Sequence, residues 1–368
     1  MTTNDEPIQT NEDTLEGWLI VGASATSPGP PLGQLPVEVS EHQEREGDDG
    51  DSDDSGFGSR LSSIDSITPS VCDYPEIHGR MYHSDMWNTG YCFPIDQRQL
   101  EAQLYSDIAV FMLLGEDLHL ADLKTAEKQI QRVLDIGSGR GYWAIEFADT
   151  YPNTEVIGTD LSPIGIKWVA PNLCFQIEDC RQDWTFDDSR FDFIHMRHLV
   201  GGIKDWRHLY REAFRCTSPG GLVESHERSF IFKSDKETIE PESALGRMGD
   251  IFREAGVKSG YSFAVVDEGT QRKGMEEAGF VDIKEEVKRM PIRKEREAPI
   301  PQDIGGIAHE AFTHDLEGYL LLVTTQVLGW TIVETYLLAM EVREQLEQMD
   351  VYVDHKIVVG QKPLSSSD

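Results

Sequence analysis

Positive charge is scarce in this sequence. Its 368 residues carry 33 Lys and Arg against 66 Asp and Glu, a formal net charge of −33. So acidic a chain is poorly suited to grip DNA, RNA or an anionic membrane through a general basic surface. Cysteine is sparse too. Cys72, Cys92, Cys174, Cys180 and Cys216 form no C-x-x-C pair and no metal-finger spacing, which predicts reduced thiols in a cytoplasmic or nuclear protein and no metal site. The opening MTTNDEPIQT has neither a basic nor an apolar region, so secretion is not expected. Long hydrophobic runs are also missing. The most apolar stretch, 318–340, is interrupted by Thr324, Thr325, Gln326, Thr331 and Glu334; it predicts a buried helix and no membrane span.

The shortage of bases is partly local. Residues 1–70 hold 15 acids and two bases, Arg45 and Arg60. Through about residue 75 the chain is rich in Ser, Pro, Gly, Asp and Glu. Such a composition buries too little apolar surface to offset its ordering entropy, so residues 1–75 are expected to be a disordered acidic tail. Within it Trp18, Leu19, Ile20 and Val21 form a hydrophobic island, either a chance cluster or a segment that docks a protein partner. Ser52 and Ser55, set among carboxylates, are weak phosphorylation candidates.

Beyond the tail the patterning becomes that of a globular protein. Leu100, Leu104, Ile108, Phe111 and Met112 share one helical face within 97–120. Short apolar runs then alternate with amphipathic stretches. Strands are predicted at 133–136, 155–159, 174–177, 191–195 and 222–226, with helices at 143–150 and 206–215, the latter ended by Pro219-Gly220-Gly221. Two later strands, 278–291 and 351–359, are separated by a long helical stretch at about 307–348. The basic run KRMPIRKER, 288–296, reads as a solvated turn. Strand–helix alternation of this kind predicts an α/β fold with a mostly parallel sheet and helices on both faces. The expected division is a helical cap at 76–128 and an α/β domain at 129–368 with a helical insertion near 293–350.

The most informative segment is VLDIGSGRGYW, 133–143. A strand runs into Gly137, Gly139 and Gly141, and a helix follows directly, a geometry that brings a ligand close to the main chain. The spacing is G-x-G-x-G, whereas dinucleotide binders use G-x-G-x-x-G. Asp135 ends the strand beside this cradle. Its carboxylate would repel a pyrophosphate, which favours a bare helix N-terminus, and would suit an ammonium. S-adenosylmethionine presents an amino-acid tail and a sulfonium and carries no phosphate. Asp160 ends the second strand, where a carboxylate accepts from ribose hydroxyls. Asp179 ends the third, placed to accept from an adenine amino group. A lone acid at a strand end is usually just solvated. Three on consecutive strands, at the edge where open α/β sheets bind ligands, point to S-adenosylmethionine.

VLDIGSGRGYWAIEFADTYPNTEVIGTDLSPI, together with FDFIHMRHLVGGIKDW, closely resembles the class I methyltransferase domain of fungal LaeA-like proteins. The resemblance extends to GRMYHSD (79–85), EDLHLA (116–121), SPGGLVESHE (218–227), VLGWTIVETYLLAMEVREQL (327–346) and HKIVVGQKP (355–363). It implies a Rossmann-like class I sheet with an antiparallel last strand, activity dependent on S-adenosylmethionine, and a place in fungal secondary metabolism. Cofactor contacts are implied at Asp135, Gly137, Gly139, Asp160 and Asp179, with backbone contacts at Leu161 and Cys180. Two departures stand out: Arg140 replaces a small hydroxylated residue, and PIRKEREAPIPQDIGG (291–306) replaces a Pro-rich turn.

Methyl transfer from a sulfonium needs chiefly an aligned acceptor, and a base only where the nucleophile must lose a proton. Catalytic residues are therefore hard to read. His83, His198 and His226 are weak candidates for a general base, each with a hydrogen-bonded structural role as the alternative. Arg197, Glu227 and Tyr82 also lie at the expected mouth. Trp87, Trp143 and Trp206 are either walls of an acceptor pocket or plain packing. Three functions stay open: methylation of a small-molecule acceptor, a nuclear regulator of secondary metabolism working through a protein complex, and a non-catalytic cofactor-binding scaffold.

Overall fold

The computed structural model describes residues 73–84, 90–123, 130–163, 169–293 and 303–364. The chain divides into Met1–Ile67 and Thr68–Asp368. The first unit, with the island at 18–21 and Ser52 and Ser55, lies outside the described residues, as does Trp87.

Seven strands form one sheet: β1 (Arg132–Ile136), β2 (Glu155–Asp160), β3 (Leu173–Ile177), β4 (Phe191–Arg197), β5 (Thr217–Arg228), β6 (Val281–Ile292) and β7 (Val351–Gln361). Their order is β3-β2-β1-β4-β5-β7-β6. The first five run parallel, and β7 is inserted antiparallel between β5 and β6. Chain order reverses between β1 and β4, which opens a crevice at their C-terminal ends. The central β4 is buried over all but its last residue, as a strand covered on both faces must be. The outermost β6 is largely exposed and studded with Lys and Glu, a composition that discourages edge pairing. Of the run 288–296, expected as a turn, residues 288–292 belong to this strand, and 294–296 lie outside the described residues.

On one face of the sheet, Trp143, Ala144 and Phe147 of α2 (Tyr142–Thr150) pack on Val133, Val156 and Phe193. A larger cluster holds Leu134, Ile136, Ile194 and Met196 with α3 (Trp206–Cys216) and α4 (Ala244–Ser259). The periodicity did not reveal α4, but its ends are well marked: the Ser243 side chain accepts from Gly246 N–H, and Gly260 closes it with φ +81°. Helix α5 (Thr270–Ala278) precedes β6.

Two helical expectations are corrected. Helix α1 spans Gln97–Leu113 and stops short of residue 120, because Gly115 and Glu116 both turn left-handed. Its buried face is Gln99, Ala102, Ser106, Ala109 and Val110, not the leucine face; Phe111 is exposed. Ser106 and Ala109 there face one narrow cavity with Ala308 and Ala311 of α6 (Ile304–Thr313), and small residues on both sides let the two helices approach closely. The long helix at 307–348 is broken into α6, α7 (Leu316–Leu322) with a π-helical extension Val323–Leu328, and α8 (Ile332–Gln348). Asp315 caps α7, Gly329 ends the extension with φ +78°, and Thr331 with Glu334 forms a capping box that restarts the chain as α8.

A short hairpin, Glu76–Ile77 with Arg80–Met81, precedes α1. Arg80 holds it in place, pairing with Asp96 at 2.6 Å and Asp315 at 2.6 Å, the N-caps of α1 and α7. Among the described residues no helix is long and apolar enough to cross a membrane, and no group of His, Cys, Asp or Glu could hold a metal ion.

Candidate active site

The glycine loop bends out of β1 into α2. Gly139 adopts φ +57° and faces open space, its nearest neighbour in the Cβ direction being Gln103 Oε1 at 3.8 Å. Gly141 adopts φ +78°, and a Cβ there would lie 2.4 Å from the Phe175 ring. The one position is left free for a ligand; the other is glycine because β3 fills the space.

Asp160 ties this loop to the end of β2. Its Oδ2 accepts from Gly139 N–H at 2.9 Å and its Oδ1 from Ser162 N–H at 3.1 Å. Burial raises its pKa, against the opposing pull of His83 and the backbone amides. His83 Nδ1 lies 2.8 Å from Ser162 Oγ, and burial lowers its pKa. The hairpin segment thereby places His83 beside the carboxylate.

Asp135 is buried, and its partner was not foreseen. His195, the residue directly across from it on β4, donates Nδ1–H to Asp135 Oδ1 at 2.8 Å. Burial holds His195 well below its ordinary pKa, and its ring stacks on Trp143 at 3.8 Å. The second oxygen, Asp135 Oδ2, is buried with no hydrogen-bond partner. Burial pushes the Asp135 carboxyl up to about 6. An orphaned carboxylate oxygen beside a glycine cradle is suited to an ammonium donor.

Asp179 lies two residues beyond β3, and Arg181 occupies both its oxygens at 2.7 Å each. A ligand there would share the carboxylate's remaining lone pairs. Leu161 follows Asp160, and the Cys180 carbonyl accepts from Trp184 Nε1 at 3.0 Å. Burial pushes the Cys180 thiol up to about 12, far from a nucleophilic thiolate.

The other candidates separate clearly. His226 is fully buried: Nε2 donates to Glu224 Oε1 at 2.6 Å and Nδ1 meets His355 Nε2 at 3.2 Å. No nitrogen is left to take a substrate proton. Glu224 also accepts from the backbone N–H groups of Leu120 and Ala121, so the pair anchors that segment to the sheet. Sequence reasoning missed His195, Glu224 and His355; the signal was polar residues alternating inside otherwise apolar strands. His198 is left-handed at φ +56° with an unpartnered buried Nε2. Arg197 pairs with Asp107 of α1 at 2.7 Å. Glu227 accepts from Leu199 and Val200 N–H, and burial pushes it up to about 8. Tyr82 is buried in the core. Trp143 and Trp206 are packed into the core.

Comparison with known proteins places this architecture. Residues 108–284 match the family model described as a methyltransferase domain. The chain is 33% identical over 306 residues to the methyltransferase pytC of Aspergillus terreus, covering 82% of this chain and 92% of that one. It is 31% identical over 259 residues to the secondary metabolism regulator LAE1 of Cochliobolus heterostrophus, covering 69% and 83%. Among solved structures it is similar, with a TM-score of 0.42 and 20% identity, to a Haemonchus contortus phosphoethanolamine N-methyltransferase 2, covering 72% of this chain and 59% of that one.

Proposed function

This chain belongs to the LaeA-like fungal methyltransferases, S-adenosylmethionine-dependent proteins of secondary metabolism, and we propose that it methylates a small-molecule acceptor. The observation that carries the reading is the acid-lined cradle: an open Gly139, bonded to the Asp160 carboxylate, on the loop that follows the orphaned Asp135 oxygen. Asp135 takes the ammonium of the cofactor, Gly137 and Gly139 the close backbone approach, and Asp160 the ribose hydroxyls. Leu161, Asp179 and Cys180 bound the adenine end. Likeness to the methyltransferase pytC over most of both chains supports methyl transfer.

Bound S-adenosylmethionine supplies an electrophilic methyl group on a good leaving group. The protein's share is alignment: a pre-formed cradle converts an encounter into an internal displacement, and such positioning can contribute roughly 7–11 kcal/mol. The hydrogen bond from His195 holds the Asp135 carboxylate in place, and Trp143 stacked on His195 holds the imidazole.

The likeness to LAE1 favours a second reading, a regulator acting on a protein, with the acidic segment 1–75 engaging a partner. Both readings require the donor, so calorimetry of S-adenosylmethionine with the purified full-length protein is the first test; absence of binding would sink both. A deletion strain then separates them. Loss of one methylated product with normal transcripts supports the tailoring enzyme, and silencing of many biosynthetic genes supports the regulator.

A further inference from the structure

Arg228, the last residue of β5, is only 8% exposed, yet it has no carboxylate within ion-pair distance among the described residues. Its Nη1 donates to Ser106 Oγ at a long 3.5 Å, and its Nε is buried with no partner. The rings of Phe312, Tyr319 and Phe230 stand 4.9, 5.1 and 5.8 Å from the guanidinium carbon. Such contacts return about 0.5–2 kcal/mol, while withdrawing a cation from water costs several kcal/mol even after relaxation. The charge is under-compensated.

The surroundings favour an anion. Arg228 lines a narrow cavity with Ser106, His198, Phe312 and His355; it has room for about one water-sized atom, such as a single oxygen, and none of its described lining residues is an acid. Burial holds both histidines well below their ordinary pKa, so they are neutral. The adjacent Glu227 points its carboxyl to two backbone amides and is itself largely protonated at neutral pH. Asp107 is committed to Arg197. His198 lines the cavity, and the residue after it, Leu199, packs on the glycine loop: its Cδ2 would lie 2.5 Å from a Cβ on Gly137.

We propose that this cavity is the head-group end of the methyl-acceptor site and that Arg228 recognises an acceptor bearing an anionic oxygen, a carboxylate or an acidic hydroxyl in its ionised form. The proposal deepens the methyltransferase reading and rests on it. It also accounts for the lack of an evident base. When the bound oxygen is itself the nucleophile, its lone pair forms the O–CH₃ bond and the C–S pair stays on sulfur. Anion and sulfonium become two neutral products, and no proton moves.

The test uses full-length protein saturated with S-adenosylhomocysteine and titrated with benzoate, 4-nitrophenolate and neutral benzamide. At least one anion should bind about tenfold or more tightly than benzamide, the anionic source being whichever prevails. Arg228→Met should weaken that anion by about 30-fold or more, the effect of stripping one partner from a buried charge pair. Affinity for S-adenosylmethionine should stay within about twofold, since Arg228 is not among the residues assigned to the cofactor. Arg228→Lys keeps the charge without the fork and should fall between; it carries the comparison if the Met variant does not fold. Equal binding of benzamide, anion binding unchanged by both substitutions, or no anion binding by a wild type that still binds S-adenosylmethionine would overturn the proposal. A wild type that binds no S-adenosylmethionine would instead overturn the methyltransferase reading.

Discussion

Replacing Asp160 by Asn changes one atom in shape and much in electrostatics. The carboxylate now accepts two backbone N–H groups at once, from Gly139 at 2.9 Å and Ser162 at 3.1 Å. An amide keeps one acceptor and turns an NH₂ group toward the other N–H, so one charge-assisted bond is replaced by a donor–donor clash. The loop that faces the cofactor is then no longer pinned to the end of β2, and one ribose hydroxyl loses its acceptor. Hydrogen bonds to charged groups contribute about 1.5–3 kcal/mol each, which corresponds to S-adenosylmethionine binding weakened roughly 10- to 150-fold. Isothermal calorimetry on wild type and Asp160→Asn, repeated with S-adenosylhomocysteine, measures this directly. A dissociation constant within about threefold of wild type, or less than about 0.7 kcal/mol, would refute the assignment of Asp160 to the ribose.

Further outcomes are expected. Gly141→Ala places a Cβ 2.4 Å from the Phe175 ring in a left-handed backbone; the strain and overpacking should destabilise the fold by about 2–4 kcal/mol, read from chemical denaturation. Because burial pushes Asp135 up to about 6 and only its ionised form attracts an ammonium, cofactor affinity should fall as pH drops below 6, by up to about tenfold per pH unit. Asp135→Asn should bind weakly with a flat profile, and a steep wild-type-like profile in that variant would refute the pairing. Glu227 has a folded pKa raised to about 8 from an ordinary 4.5. The folded state therefore keeps a proton that the unfolded state releases. That stabilisation is complete below about 4.5 and is lost as pH rises toward 8, at up to about 1.4 kcal/mol per pH unit; Glu227→Gln should remove this component from stability–pH curves. Arg80→Ala strips the cation shared by two N-cap carboxylates, of which Asp315 is fully buried. It should cost about 3–5 kcal/mol, seen as a lowered Tm, and a loss under about 1 kcal/mol would show the clamp to be dispensable.

The strands were legible because buried parallel strands are short and apolar with sharp ends, so 133–136, 155–159 and 191–195 each fall inside an observed strand. The helices were less so. The apolar face of α1 looked like the core-facing one, but closeness to α6 selected the small-residue face, and close approach between helices is not written in hydrophobic period. The unbroken pattern across 307–348 concealed three helices, since Asp315, Gly329 and Thr331 interrupt the backbone without interrupting the apolar run.

The sequence by itself determined the parallel sheet, the glycine turn and the acids at the strand ends, because each is set by residues within one strand–loop–helix unit. Only the tertiary structure decided which of those groups are free. Asp135 lies opposite His195, 60 positions further along the chain, His226 is spent on Glu224 and His355, and Arg228 is left without an anion among the described residues. Such pairings arise from strand register and burial, which bring distant residues together and make an unsatisfied charge costly. The scarcity of positive charge, so broad along the chain, thus ends in one buried cation whose counter-charge the described residues do not provide.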